Sequence, residues 1–143
     1  MQVFDRHLSD SDKTPKVTFE NEDVRIFKET HCSHEIRTAE KLSRHGIRCC
    51  FVNDNVQELD RNGKPTGRSL NYADLDNGME IKVLNSASSY NTINGHLKNA
   101  SKKLNATSVV FDNSENKCLT DEKLAEYLRR SQAFKYGSVY MLT

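Results

Sequence analysis

Apolar residues recur along this chain in two rhythms, every second position and every three or four, and the alternation between them predicts its elements. Val17 and Phe19 on one side of the acidic turn "ENED", with Val24, Ile26 and Phe27 on the other, predict a β-hairpin. Ser33 as a cap, Ile36, Ala39 and Leu42 at helical spacing and Gly46 as a stop predict a helix. "IRCCFVN" predicts a strand, and "DNVQELDRNGKPTGRS" a polar loop. "SLNYADL" and "MEIKVL" then predict a hairpin turning at "DNG". Ile93, Leu97, Ala100 and Leu104 predict the buried face of a second helix, which precedes the strand "TSVVFD". Thr120 with Asp121 and Glu122 opens a third helix carrying Leu124, Tyr127 and Leu128, and "YGSVYMLT" closes the chain as a strand.

This order predicts an α+β fold in which helices pack on a central, mostly antiparallel sheet. Its 143 residues suffice for one core, so residues 17–143 are expected to form a single domain behind an irregular lead-in, 1–16. An apolar content of 36% against 29% charged residues is polar for a globular protein, but the periodic patterning argues against disorder.

Charge narrows the partners. Residues 1–85 carry 13 Lys/Arg against 15 Asp/Glu, and residues 86–143 carry 8 against 5. That surplus helps a local phosphate site and falls short of a stripe that binds nucleic acid by charge alone. Cys32, Cys49, Cys50 and Cys118 match neither a zinc spacing nor a small disulfide framework, so reduced thiols are expected. No apolar run approaches the ~20 residues of a spanning helix, and a cytoplasmic chain outside the membrane is the expectation.

The chemistry concentrates in "ADLDNGMEIKVLN". Residues two apart on a strand share a face, so Glu80 and Lys82 project together, opposite Met79, Ile81 and Val83. A two-residue turn at Asn77-Gly78 sets Asp74 opposite Ile81, away from them; a three-residue turn at Asp76-Asn77-Gly78 sets it opposite Glu80 and suits Gly78. In the second case Asp74, Glu80 and Lys82 cluster, and Glu35 is expected close by. That layout resembles the core of PD-(D/E)xK nucleases, an α/β alternative in which two carboxylates bind Mg²⁺ and the lysine orients water and offsets phosphate charge. A solvent-facing Glu/Lys pair is the bland alternative.

On the following helix Thr92, His96, Asn99 and Lys103 recur at spacings of four, three and four, one polar face beside the apolar one. A hydroxyl, an imidazole, an amide and an ammonium can bind a phosphate and move protons without metal.

Taken together, "HEIRTAEKLSRHGIRCCFV", "ADLDNGMEIKVLNS" and "NTINGHLKNASKKLNATSVVFD" are similar to the C-terminal tRNase domain of CdiA-type contact-dependent growth inhibition toxins, over roughly residues 34–112. The resemblance implies a barnase/EndoU/colicin/RelE-like fold and a metal-independent ribonuclease that cuts tRNA through the RNA's own 2′-OH. It also implies delivery into target cells and a cognate immunity protein or antitoxin. The positions that match are Glu35, Asp74, Glu80, Lys82, Asn91 and Thr92; Lys103 stands where relatives often carry glutamine. On chemical grounds Lys82 stabilises the transition state, His96 and Glu80 are the proton-transfer candidates, Thr92 positions the phosphate, and Asp74 completes the catalytic set. Asn91, Lys103, Arg129, Arg130 and Tyr140 are the candidate substrate contacts. This reading needs no cofactor; Mg²⁺ belongs to the PD-(D/E)xK alternative, on DNA. A binding module that recognises nucleic acid or protein without cutting is the third reading.

Overall fold

The computed structural model describes residues 2–4, 16–84, 89–115, 119–135 and 137–143. Strands β1 (Gln2–Phe4) and β2 (Val17–Phe19) precede helices α1 (Glu22–His31) and α2 (Ser33–Arg44). Strands β3 (Cys49–Phe51), β4 (Asn55–Leu59), β5 (Pro65–Asn71) and β6 (Met79–Val83) follow, then α3 (Tyr90–Ser101), β7 (Ser108–Asp112), α4 (Asp121–Arg130) and β8 (Ser138–Leu142). The fold is α+β.

The main sheet has the order β1-β8-β7-β6 and every pairing in it is parallel. This corrects the mostly antiparallel expectation, and the reason is connective. α3 joins β6 to β7 and α4 joins β7 to β8, and a helix between neighbouring strands returns the chain to the end from which it started. β2 and β3 also pair in parallel, across α1 and α2.

The hairpin expected over 17–27 is absent. Only Val17–Phe19 is a strand, and Asp23–Phe27 is helical because Asn21 caps α1, its Oδ1 accepting from the Val24 N–H at 3.0 Å. Glu22 and Asp23 add favourable charge to the first turn. The polar stretch expected to be a loop is instead the antiparallel hairpin β4-β5, with Asn55 opposite Asn71 and Val56 opposite Leu70. Its β4 face is too polar to read as half-buried. Gln2–Phe4, inside the expected irregular lead-in, pairs with Tyr140–Leu142; residues 5–15 lie outside the described residues. Leu104, expected on the buried face of α3, follows the helix end and is 62% exposed.

Two cores flank the parallel sheet. Met79, Ile81, Val110 and Leu142 pack with Val24, Ala39, Leu42 and Phe51 on the α1/α2 side. Leu84, Val109, Phe111 and Met141 pack with Ile93, Leu97, Leu124 and Leu128 on the α3/α4 side. Cys32, Cys49 and Cys50 are free thiols; Cys118 lies outside the described residues. Among the described residues no helix is long and apolar enough to cross a membrane.

The turn before β6 decides the face on which Asp74 lies. Leu75 N–H donates to the Met79 carbonyl at 3.1 Å and Gly78 N–H to the Leu75 carbonyl at 3.0 Å, closing a three-residue turn. Gly78 has φ +86°, and a Cβ there would stand 2.5 Å from Thr107 Oγ1 and 2.7 Å from the Asn105 carbonyl. Gly78→Ala is therefore expected to destabilise the protein by about 1–3 kcal/mol from the left-handed backbone alone, with the clash in addition. Urea unfolding checks this, and an unchanged midpoint would show that the turn tolerates a side chain.

Candidate active site

The three-residue turn sets Asp74 against Glu80, and the two side chains complete what the backbone ladder leaves open. Asp74 Oδ2 accepts from the Ile81 N–H at 2.8 Å, and Glu80 Oε1 accepts from the Asp74 N–H at 3.2 Å. Both residues are buried. The other oxygen of Glu80, Oε2, faces two ammonium groups, Lys103 at 3.7 Å and Lys82 at 3.9 Å. Lys82 and Lys103 are each about a quarter exposed, so the cluster opens to solvent on their side.

Behind the carboxylates lies a residue that sequence reasoning missed. Lys28 is 2% exposed, and its Nζ lies 3.4 Å from Glu35, 3.5 Å from Asp54 and 3.5 Å from Asp74. It also stands 5.4 Å from the centre of the Phe51 ring. The signal lay in the capped turn Asn21-Glu22-Asp23-Val24. Once that turn is read as a helix start, Lys28 falls one turn after Val24 on the buried face. Asp54 was hidden in the stretch read as loop.

The charges oppose burial. Burial pulls the Lys28 ammonium down, but Asp74, Glu35 and Asp54 outweigh it and hold the group above the ordinary lysine value. Burial also raises Asp74, where the Glu80 carboxyl, the Ile81 N–H and Lys28 prevail and keep it below the usual carboxylate range. Glu80 is pushed up to about 8, first by burial and then by Asp74, with Lys82 and Lys103 pulling against them. At neutral pH the pair thus holds one proton, on Glu80, and one charge, on Asp74. Glu35 is raised as well, by burial and by Asp74.

The other candidates divide. His96, half-buried, lies 6.4 Å from the Phe111 ring, and burial together with the Lys82 charge holds it below its ordinary value, so it is neutral and able to accept a proton. Lys103 reaches Glu80 from the turn after α3, not from the helix face. Thr92 and Asn91 are exposed in the first turn of α3, where the Thr92 Oγ1 lies 3.2 Å from Ser89 Oγ; no contact among the described residues joins either to the carboxylates. Arg130 stacks on Tyr90, 3.9 Å from the ring centre. Arg129 and Tyr140 line a separate groove with Gln2 and Ser138. Tyr140 is in line with Val110 and Ile81, so parallel register sets it on the α1/α2 side, opposite the face of Lys82.

Two outcomes follow from the charge pattern. Lys28→Met leaves Glu35, Asp54 and Asp74 facing one another without a counter-charge, and is expected to cost about 3–5 kcal/mol in urea unfolding; a loss below 1 kcal/mol would mean that Lys28 does not hold the cluster. The second concerns pH. Between the ordinary glutamate value of 4.5 and about 8, the folded chain keeps a proton on Glu80 that the unfolded chain has lost, so stability falls as pH rises through that window. Glu80→Gln is expected to flatten the fall, Glu35 retaining the remainder, and an equally steep fall in the variant would place the proton elsewhere. No family model, no curated protein and no solved structure matches this chain, and its chemistry is read from this geometry.

Proposed function

We propose that the protein is a nuclease that cleaves phosphodiester bonds of nucleic acid at Asp74, Glu80 and Lys82, with tRNA the substrate class to which the sequence resemblance points. One observation carries the reading: a buried pair of adjoining carboxyl groups, Asp74 and Glu80, with two partly exposed lysines converging on the outer oxygen of Glu80. The lysines attract the phosphate and offset the charge that grows on it during displacement. Asp74, ionised, accepts a proton from the attacking oxygen, while protonated Glu80 donates to the leaving oxygen.

The scaffold favours the PD-(D/E)xK-like version of this chemistry. Residues 73–76 run antiparallel to β3 through the Phe51–Leu75 bridge, and β6 then passes through α3 to a parallel β7. Glu35 approaches from the preceding helix, joined to the pair through Lys28. Once Glu80 gives up its proton, Asp74 and Glu80 are both hard oxygen donors, and Mg²⁺ is commonly held by one or two carboxylates and the substrate phosphate, so the ionised pair would suit that ion without a closed protein cage. When bound there, Mg²⁺ supplies Lewis-acid polarisation of the phosphate and a more acidic water. The metal-independent alternative draws on His96, half-buried on α3 and held below its ordinary value by burial and by the Lys82 charge, which can take the proton of a 2′-OH.

Purified wild type is expected to release discrete fragments from total tRNA, to stop in EDTA and to resume with Mg²⁺. Lys82→Ala is expected to lower the rate about 100-fold or more. Cleavage that persists in EDTA and leaves 2′,3′-cyclic phosphate ends would transfer the reaction to His96. A wild type that shifts RNA and DNA in a gel yet cuts neither at large enzyme excess would leave a binding module in place of the nuclease.

A further inference from the structure

The second half of α1 turns an aromatic ring away from both cores. Phe27 is 52% exposed, one residue before the buried Lys28, and its ring lies 5.0 Å from that of His31, centre to centre. It lines a cavity of about 400 Å³ between α1 and the segment after β3, with Lys28 and Asp54 among its other walls. The cavity therefore adjoins the carboxylate cluster, with Lys28 and Asp54 common to both.

We infer that this cavity is a nucleobase site, which receives an unpaired base bearing an exocyclic amino group beside the bond to be cut. The inference rests on the nuclease reading for its setting and on its own residues for its chemistry. Charge excludes a phosphate: the Lys28 ammonium is already surrounded by Glu35, Asp54 and Asp74, and Asp23 adds a further carboxylate to the wall. A neutral heterocycle avoids that repulsion. Its amino N–H donates to Asp54, since an ionised carboxylate only accepts. Asn21 and Asn53 each spend the side-chain oxygen on a backbone N–H, of Val24 at 3.0 Å and of Asn55 at 3.2 Å, which leaves their NH₂ groups to donate to a ring carbonyl or ring nitrogen. The exposed Phe27 ring supplies the stacking surface on which single-stranded bases are held. A volume of this size lies within the range of small-ligand pockets.

The chain contains no tryptophan, so Phe27→Trp places one fluorophore on the stacking surface. Titration with GMP, CMP, AMP and UMP is expected to give saturable quenching by the three amino-bearing nucleotides, at least 5-fold weaker quenching by UMP, and loss of the difference in Phe27→Trp/Asp54→Asn. Inorganic phosphate is expected to give none. Equal quenching by UMP and GMP, by phosphate alone, or by nothing would overturn the site. In the cleavage assay Phe27→Ala, which removes a half-exposed ring, is expected to raise KM about 10-fold with kcat nearly kept and the urea midpoint unchanged. Cleavage with unaltered KM sinks the base site and leaves the nuclease reading; selective quenching by a protein that cuts no nucleic acid supports the base site and sinks the nuclease.

Discussion

The buried ammonium of Lys28 is the contact on which the arrangement of the site depends. It ties α1 to α2 through Glu35, to the segment after β3 through Asp54, and to the segment before β6 through Asp74. None of these carboxylates has another lysine or arginine partner among the described residues, and like charges so close in a poorly hydrated interior repel strongly. An amino group there is worth more than its own desolvation because it serves three partners at once. The Phe51 ring beneath it adds a favourable quadrupole without adding charge.

A buried cation behind the carboxyl pair also gives the pair its polarity. Asp74 has Lys28 and the Ile81 N–H on its side; Glu80 has Asp74 on its inner side and two lysines, each screened by partial exposure, on the outer. Two acids of similar intrinsic strength are thereby pushed apart, the inner one charged and the outer one protonated. Separation of this kind equips one pair of carboxylates for opposite proton-transfer roles. The same ammonium borders the cavity under Phe27, so the proposed chemistry and the proposed base recognition meet at one residue.

The correction of the sheet bears on function as well as on fold. A strand carrying Glu80 and Lys82 at the edge of a parallel sheet is followed by α3, with His96 in its middle turn, and by the turn after the helix, which brings Lys103 to Glu80. The parallel connection thus accounts for the convergence of Lys82 and Lys103, although Lys103 arrives from the turn beyond the helix and not from its polar face.

What the sequence by itself determined was local: the Thr120 cap and the helix it opens, the apolar spacing of α2, where Ser33 lies inside the helix and Cys32 precedes it without a side-chain cap bond, the apolar face of α3, the period-two pattern that keeps Glu80 with Lys82, and the preference of a three-residue turn for Gly78. Each depends on a cap, a left-handed backbone or a spacing within a few residues, and such signals survive without any partner. Tertiary structure alone decided the rest. Asp23–Phe27 reads as a strand by its β-branched and aromatic residues, and burial of Val24 and Lys28 against other elements decided for the helix, the Asn21 cap being its one local signal. Strand direction, the pairing of residues 2–4 with β8, and the meeting of Lys28 with three carboxylates from distant segments depend on which elements become neighbours. Burial and charge are set by those neighbours, and no spacing along the chain encodes them.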